Sequence, residues 1–190
     1  MTGFVTTPTL QDVYEVLQPF IATVTGLDPS VVIQGTPNRT AMPPASPGYV
    51  SMQATITKRL RTNLEGDWLT ASDPTGIDAE QGTELEVQID CFGASAPDWG
   101  VALSTLLRSD YGCAQLAGLD SEGNPVVPPL CQPLYVTEVP FAPLDDSEEQ
   151  YEQRWIVRAA LQYNPITTTP MQFADTAEVT VINVDEAYPP

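Results

Sequence analysis

The chain has 190 residues, 25 of them acidic and 7 basic, for a formal net charge of −18, and it contains no histidine. So few cations cannot displace enough phosphate counterions to wrap nucleic acid. Without an imidazole there is no Ser-His-Asp triad, no Cys-His dyad and no histidine-ligated metal.

With 42% hydrophobic residues the chain can build a core, and its length suits one domain, 1–190, with a core over about 9–163. No apolar run approaches the roughly 18 residues of a membrane span. The 19 prolines and 12 glycines cluster between periodic segments and imply long connections. The start MTGFVTTPT has neither the basic region nor the apolar stretch of a secretory signal. Together with an odd count of three cysteines and no C-x-x-C, this predicts a reducing compartment. Cys91 is expected as a buried thiol, and a Cys113–Cys131 bridge stays open.

Residues 9–25, TLQDVYEVLQPFIATVT, read as the first helix. Thr9 and Asp12 make a capping-box start. Leu10, Val13, Leu17, Phe20, Ile21 and Val24 share one face, and Gly26 ends the segment. Pro19 lies inside and is expected to bend the helix or split it in two. Residues 31–33 suggest a short strand, and 34–48, rich in proline, an extended connection.

Residues 49–60, YVSMQATITKRL, alternate. Val50, Met52, Ala54, Ile56 and Leu60 fall on one face with the aliphatic stem of Lys58. Lys58, Arg59 and Arg61 cluster at the end of this strand, where acidic neighbours would pair with them. Residues 62–82 form a long acidic segment that suits a hairpin arm, with Trp68 and Leu69 packing on a neighbour.

The clearest local pattern spans 84–108. Leu85, Val87, Ile89 and Cys91 alternate with Glu84, Glu86, Gln88 and Asp90, which predicts a strand with one buried and one wet face. A helix follows. Ser95, Pro97 and Asp98 supply its start signals, and Trp99, Leu103, Leu106 and Leu107 its apolar stripe.

Residues 110–131 are turn-rich; Asp120, Glu122 and Asn124 lack the closing carboxylate of a calcium loop and read as an ordinary turn. A strand is expected over 134–139, then a solvated acidic loop over 140–150. Residues 151–163, YEQRWIVRAALQY, form the longest alternating strand. Tyr151, Trp155, Val157, Ala159 and Leu161 take one face, and Glu152, Arg154, Ile156, Arg158 and Ala160 the other. Arg154 and Arg158 are natural cross-strand partners for Glu84, Glu86 or Asp90. A last strand over 176–184 and a short tail complete the chain.

The order of elements predicts an α+β fold: a mostly antiparallel β-sheet with two helices packed on one face, plus long Pro/Gly-rich and acidic loops or arms. There is no P-loop and no G-x-G-x-x-G, and no cofactor is expected. The carboxylates of the 145–149 run have no apolar wall to raise a pKa, so a carboxylate-based hydrolase is the weaker alternative to a protein without catalysis.

Three segments in order carry a family likeness: VIQGTPNRTAMPPASPGYVSM, ELEVQIDCFGASAPDWGVALSTLLRS and PLYVTEVPFAPLDDSEEQYEQRWIVRAALQY. With its Q-G-x-P-N-R motif, its strand ending in Phe-Gly before a helix and its Q-Y-E-x-R strand opening, the chain resembles the neck or tail terminator proteins of tailed bacteriophages. The resemblance implies a structural virion protein at the head-tail junction, assembled in the host cytoplasm. It would form a ring, usually a hexamer, that caps the tail tube, ends its polymerisation and joins it to the head-tail connector. DNA would pass through the lumen without specific binding. A tail-tube or other connector subunit is the neighbouring alternative.

Six copies would carry 6 × −18 = −108. This charge is expected to line part of the channel, from Glu84, Glu86 and Asp90 or from the loops at 62–82 and 145–149. Lys58, Arg59, Arg61, Arg154 and Arg158 are the expected inter-strand or inter-subunit charge partners.

Overall fold

The computed structural model describes residues 4–35, 43–44, 46–66, 76–118, 122–124, 126, 129–137, 139–145 and 151–170. Its strands are β1 (Val5–Thr7), β2 (Val32–Gln34), β3 (Tyr49–Arg59), β4 (Leu64–Gly66), β5 (Gly76–Glu80), β6 (Thr83–Phe92), β7 (Gln132–Val136), β8 (Leu144–Asp145), β9 (Tyr151–Glu152), β10 (Arg154–Tyr163) and β11 (Ile166–Pro170). Its helices are α1 (Leu10–Thr25), α2 (Ala96–Leu106) and α3 (Asp110–Leu116). The fold is α+β. The main sheet runs β2-β3-β6-β10-β7, antiparallel except for β2 beside β3. A second, antiparallel sheet runs β1-β11-β5-β4.

The core lies between the helices and one face of the main sheet. Leu85, Val87, Ile89 and Cys91 on β6 are fully buried, as are Val157, Ala159 and Leu161 opposite them on β10. From the helices come Val13, Leu17 and Ile21 of α1, Leu103 of α2 and Leu116 of α3. Each large aliphatic side chain here contributes about 1.5–3 kcal/mol by leaving water.

Thr9 and Asp12 close the capping box of α1: the Asp12 N–H donates to Thr9 Oγ1 at 3.2 Å and the Thr9 N–H to Asp12 Oδ2 at 2.6 Å. Gly26, at φ 70°, caps the C-terminus in the left-handed conformation. Pro19 does not split the helix. One uninterrupted segment of 16 residues runs through it, held by buried Leu17, Phe20 and Ile21 on either side. Ser95 stands at the N-cap of α2, but its side chain makes no capping bond. Its ψ is 3°, whereas the working caps Thr9 and Ser109 have ψ of 166° and 163°.

The two-helix expectation misses α3, which occupies the start of the stretch read as turn-rich. Ser109 caps it, accepting the Gly112 N–H at 3.3 Å. Gly112 is there because α3 folds back onto the end of α2: a Cβ would run into the Leu106 carbonyl oxygen.

A further departure concerns β3. Ala54 pairs with Val87, but Ile56 pairs with Glu86, so Thr55 is an extra residue in the ladder, a β-bulge. One inserted residue turns every later side chain to the opposite face. Ile56 and Lys58 therefore leave the core side, and Ile56 is 54% exposed.

Smaller differences follow the same logic of local backbone chemistry. β7 begins before Pro133, which an edge strand tolerates. The 140–150 segment contains β8, paired with β9. The strand expected over 151–163 breaks at Gln153, whose carbonyl accepts the Gly93 N–H instead of a ladder bond. β3, with 11 residues, is longer than β10, with 10. β1 and β11 have threonine-rich sequences with no apolar alternation to announce them. The readings for Trp68, Leu69, Asp120, the 146–150 loop and the 176–184 strand lie outside the described residues, as do the side chains of Tyr151 and Glu152.

Candidate functional site

The two sheets share three through-going strands. β3 leads into β4, β5 into β6 and β10 into β11, and the lateral order is the same in both sheets. Backbone bonds stitch the junction, Leu60 N–H to Gly82 O at 2.9 Å and Gln81 N–H to Pro165 O at 3.0 Å. Among the described residues, one flank is thus edged by β2 and β4, and the other by β7 and β1. Edge strands with unpaired N–H and C=O groups are ready to pair with another chain.

The outer face of the main sheet, away from the helices, carries the charged residues singled out above. Arg154 Nη2 meets Asp90 Oδ1 at 3.1 Å, with Asp90 only 12% exposed. Gln88 Nε2 donates to both Asp90 oxygens at 3.1 Å. The Arg154 guanidinium also lies 5.8 Å from the centre of the Phe92 ring, which stacks on Tyr49 at 4.5 Å. Lys58 Nζ reaches Glu84 Oε2 at 3.6 Å, and the Tyr135 hydroxyl donates to Glu84 Oε1 at 2.7 Å. That bond holds the phenol proton and raises the Tyr135 pKa. Glu86 accepts from Thr55 Oγ1 at 3.2 Å.

Arg158 stands opposite Gln88, exposed, and makes no ion pair among the described residues. Arg61 pairs with Glu80 at the junction of the sheets, and Arg59 donates to Gln81 Oε1 at 3.4 Å. Among the described residues the face therefore holds three carboxylates, Glu84, Glu86 and Asp90, beside three cations, Lys58, Arg154 and Arg158.

The bulge produces part of this arrangement. Lys58 can oppose Glu84 only because Thr55 shifts the phase of β3. A lysine falling on an otherwise apolar face was the signal for it. Tyr135 was missed because its reach to Glu84 depends on β7 lying one strand further out, across β10.

A groove of about 610 Å³ runs between α2 and β7, lined by Ser104, Thr105, Arg108, Val136, Thr137 and Val139. A second, of about 450 Å³, lies where the sheets meet, walled by Pro8, Leu130, Tyr163 and Ile166 among others. Among the described residues, the first groove has Arg108 as its one ionisable lining residue, and the second has Glu80 and Tyr163. All three cysteines are free, and burial pushes the Cys91 and Cys131 thiols up to about 12. Among the described residues no group of three or more His, Cys, Asp or Glu is arranged to hold a metal, and no helix is long and apolar enough to cross a membrane.

No curated protein matches the chain significantly. A family model described as phage neck terminator protein matches residues 11–185, which take in every described strand except β1, and all three helices but for the first residue of α1. That family is one of structural virion proteins at the head-tail junction. The chain belongs to the phage neck terminator family.

Proposed function

We propose that this chain forms a closed ring at the top of the tail tube, stops tube growth, joins the tube to the head-tail connector and leaves a channel for DNA. The observation that carries the reading is the pair of flanks left open among the described residues, β2 with β4 and β7 with β1. A subunit with different open edges on its two sides can meet its neighbour head to tail, and such heterologous contacts close into rings.

Glu84, Glu86 and Asp90 remain our candidates for the channel wall. Lys58 and Arg154 offset Glu84 and Asp90 within the subunit, so Glu86 is the member of the row without an ion pair among the described residues. With Arg158 on the same face the charges of this wall balance, so it would offer DNA no net attraction, as a channel for rapid passage requires. Lys58, Arg59 and Arg61 serve mainly to fix strand register in this reading, since exposed pairs contribute only about 0–1 kcal/mol each; Arg154 meets the covered Asp90 and holds more, and Arg158, exposed, is left for a neighbouring subunit.

Electron microscopy of phage lacking this chain tests the proposal. We expect tails of uncontrolled length and filled heads without tails. Tails of normal length joined to heads would refute it.

A further inference from the structure

The geometry points to a specific contact between copies of this chain: the β4 edge of one copy seats beside β7 of the next, with Glu65 reaching Arg108 in the groove between α2 and β7. This rests on the ring reading and names the surfaces that would close the ring.

Four observations carry it. First, β4 and β7 are terminal strands on opposite flanks, so joining them repeats in one direction around an axis. Second, β4 is a poor outer edge for a lone molecule. Leu64 is 51% exposed and Glu65 is also exposed, although Leu64 sits in a strand that could have hidden it.

Third, the receiving groove has both characters needed. Val136 and Val139 line it with apolar surface for a leucine, and Arg108 lines it with a cation. Fourth, the charges match. Arg108 is exposed and has no ion pair among the described residues, and the same holds for Glu65. In a chain with 7 cations against 25 acids, an exposed arginine with no ion pair among the described residues, beside a strand edge, is a selective receptor for a carboxylate. Strand addition supplies the backbone bonds, and the side chains set the register.

The test uses the full chain, alone and on purified tail tubes, read by native mass spectrometry. Glu65→Arg and Arg108→Glu each place like charges at the contact and should lower assembly at least tenfold. The double variant, Glu65→Arg with Arg108→Glu, should recover it, and mixing the two single variants should give assemblies containing both chains. The recoveries rule out misfolding as the cause of the losses. Single variants that assemble like the wild type, or losses that neither combination repairs, would overturn this contact while leaving the ring intact. If the wild-type chain forms no ring on tubes or off them, the ring reading itself fails, and this contact with it.

Discussion

The Tyr14 hydroxyl accepts the Ala54 backbone N–H at 2.7 Å, one residue before the Thr55 bulge. Helix α1 thus satisfies a donor at the point where the ladder between β3 and β6 is interrupted, and it ties the helix layer to the strand that changes phase there. Tyr14→Phe keeps the ring in the core but removes the acceptor. We expect a loss of about 1–3 kcal/mol in urea unfolding, the cost of leaving a part-buried N–H unpaired. A change below about 0.5 kcal/mol would mean that the bulge needs no such support.

The two ion pairs on the outer face differ in depth, and that difference is measurable. Lys58 is 65% exposed where it meets Glu84, so Lys58→Ala should change stability by no more than about 0.5 kcal/mol. Asp90 is mostly covered and also accepts from Gln88. Asp90→Ala leaves Arg154 without its counter-charge and should cost about 2–3 kcal/mol. Equal effects in denaturant titrations would contradict the burial difference.

The thiols make a prediction about pH. Cys91 and Cys131 titrate near 12 in the folded chain because burial disfavours the thiolate, with the Asp90 charge adding to the effect at Cys91. Unfolding returns them to about 9, the ordinary value. The folded state therefore holds more protons between these values. The thiols' contribution to stability is intact below pH 9 and is lost as pH rises towards 12. Melting temperature should fall over this alkaline range, and the fall should be shallower in Cys131→Ala. At pH 8 a thiol reagent should label the half-buried Cys113 and spare Cys91 and Cys131 until denaturant is added.

Gly112 permits the close approach of α3 to α2. Gly112→Ala would ordinarily favour a helix by about 1 kcal/mol. Here its Cβ meets backbone that cannot swing away, so we expect a net loss of about 1–3 kcal/mol by thermal unfolding. A stabilised variant would show that the two helices can part without cost.

The sequence speaks plainly wherever one local rule dominates. The alternation around Leu85 and Ile89, the capping box at Thr9 and Asp12, and the stripe from Trp99 to Leu107 each follow from one period or one cap, and each is present. It is silent where geometry depends on a distant partner. Nothing local says that Thr55 will be extruded, because the extra residue is defined only against β6. Helix α3 is hidden by Gly112, which weakens helical propensity yet is required by the Leu106 carbonyl. β1 and β11 are threonine-rich segments that become strands by pairing with each other across most of the chain. The pairing of Arg154 with Asp90 was legible because both follow from the alternation of adjacent strands, whereas Arg108 stands out only once β7 is placed beside α2.

The central claim is that this chain ends tube growth by capping it as a ring, and polymerisation of the purified tail-tube protein tests it most directly. Adding the chain at increasing ratio should shorten the tubes and place one extra ring of density at one end of each. Tubes that keep their length distribution, with no density added at either end, would contradict the account.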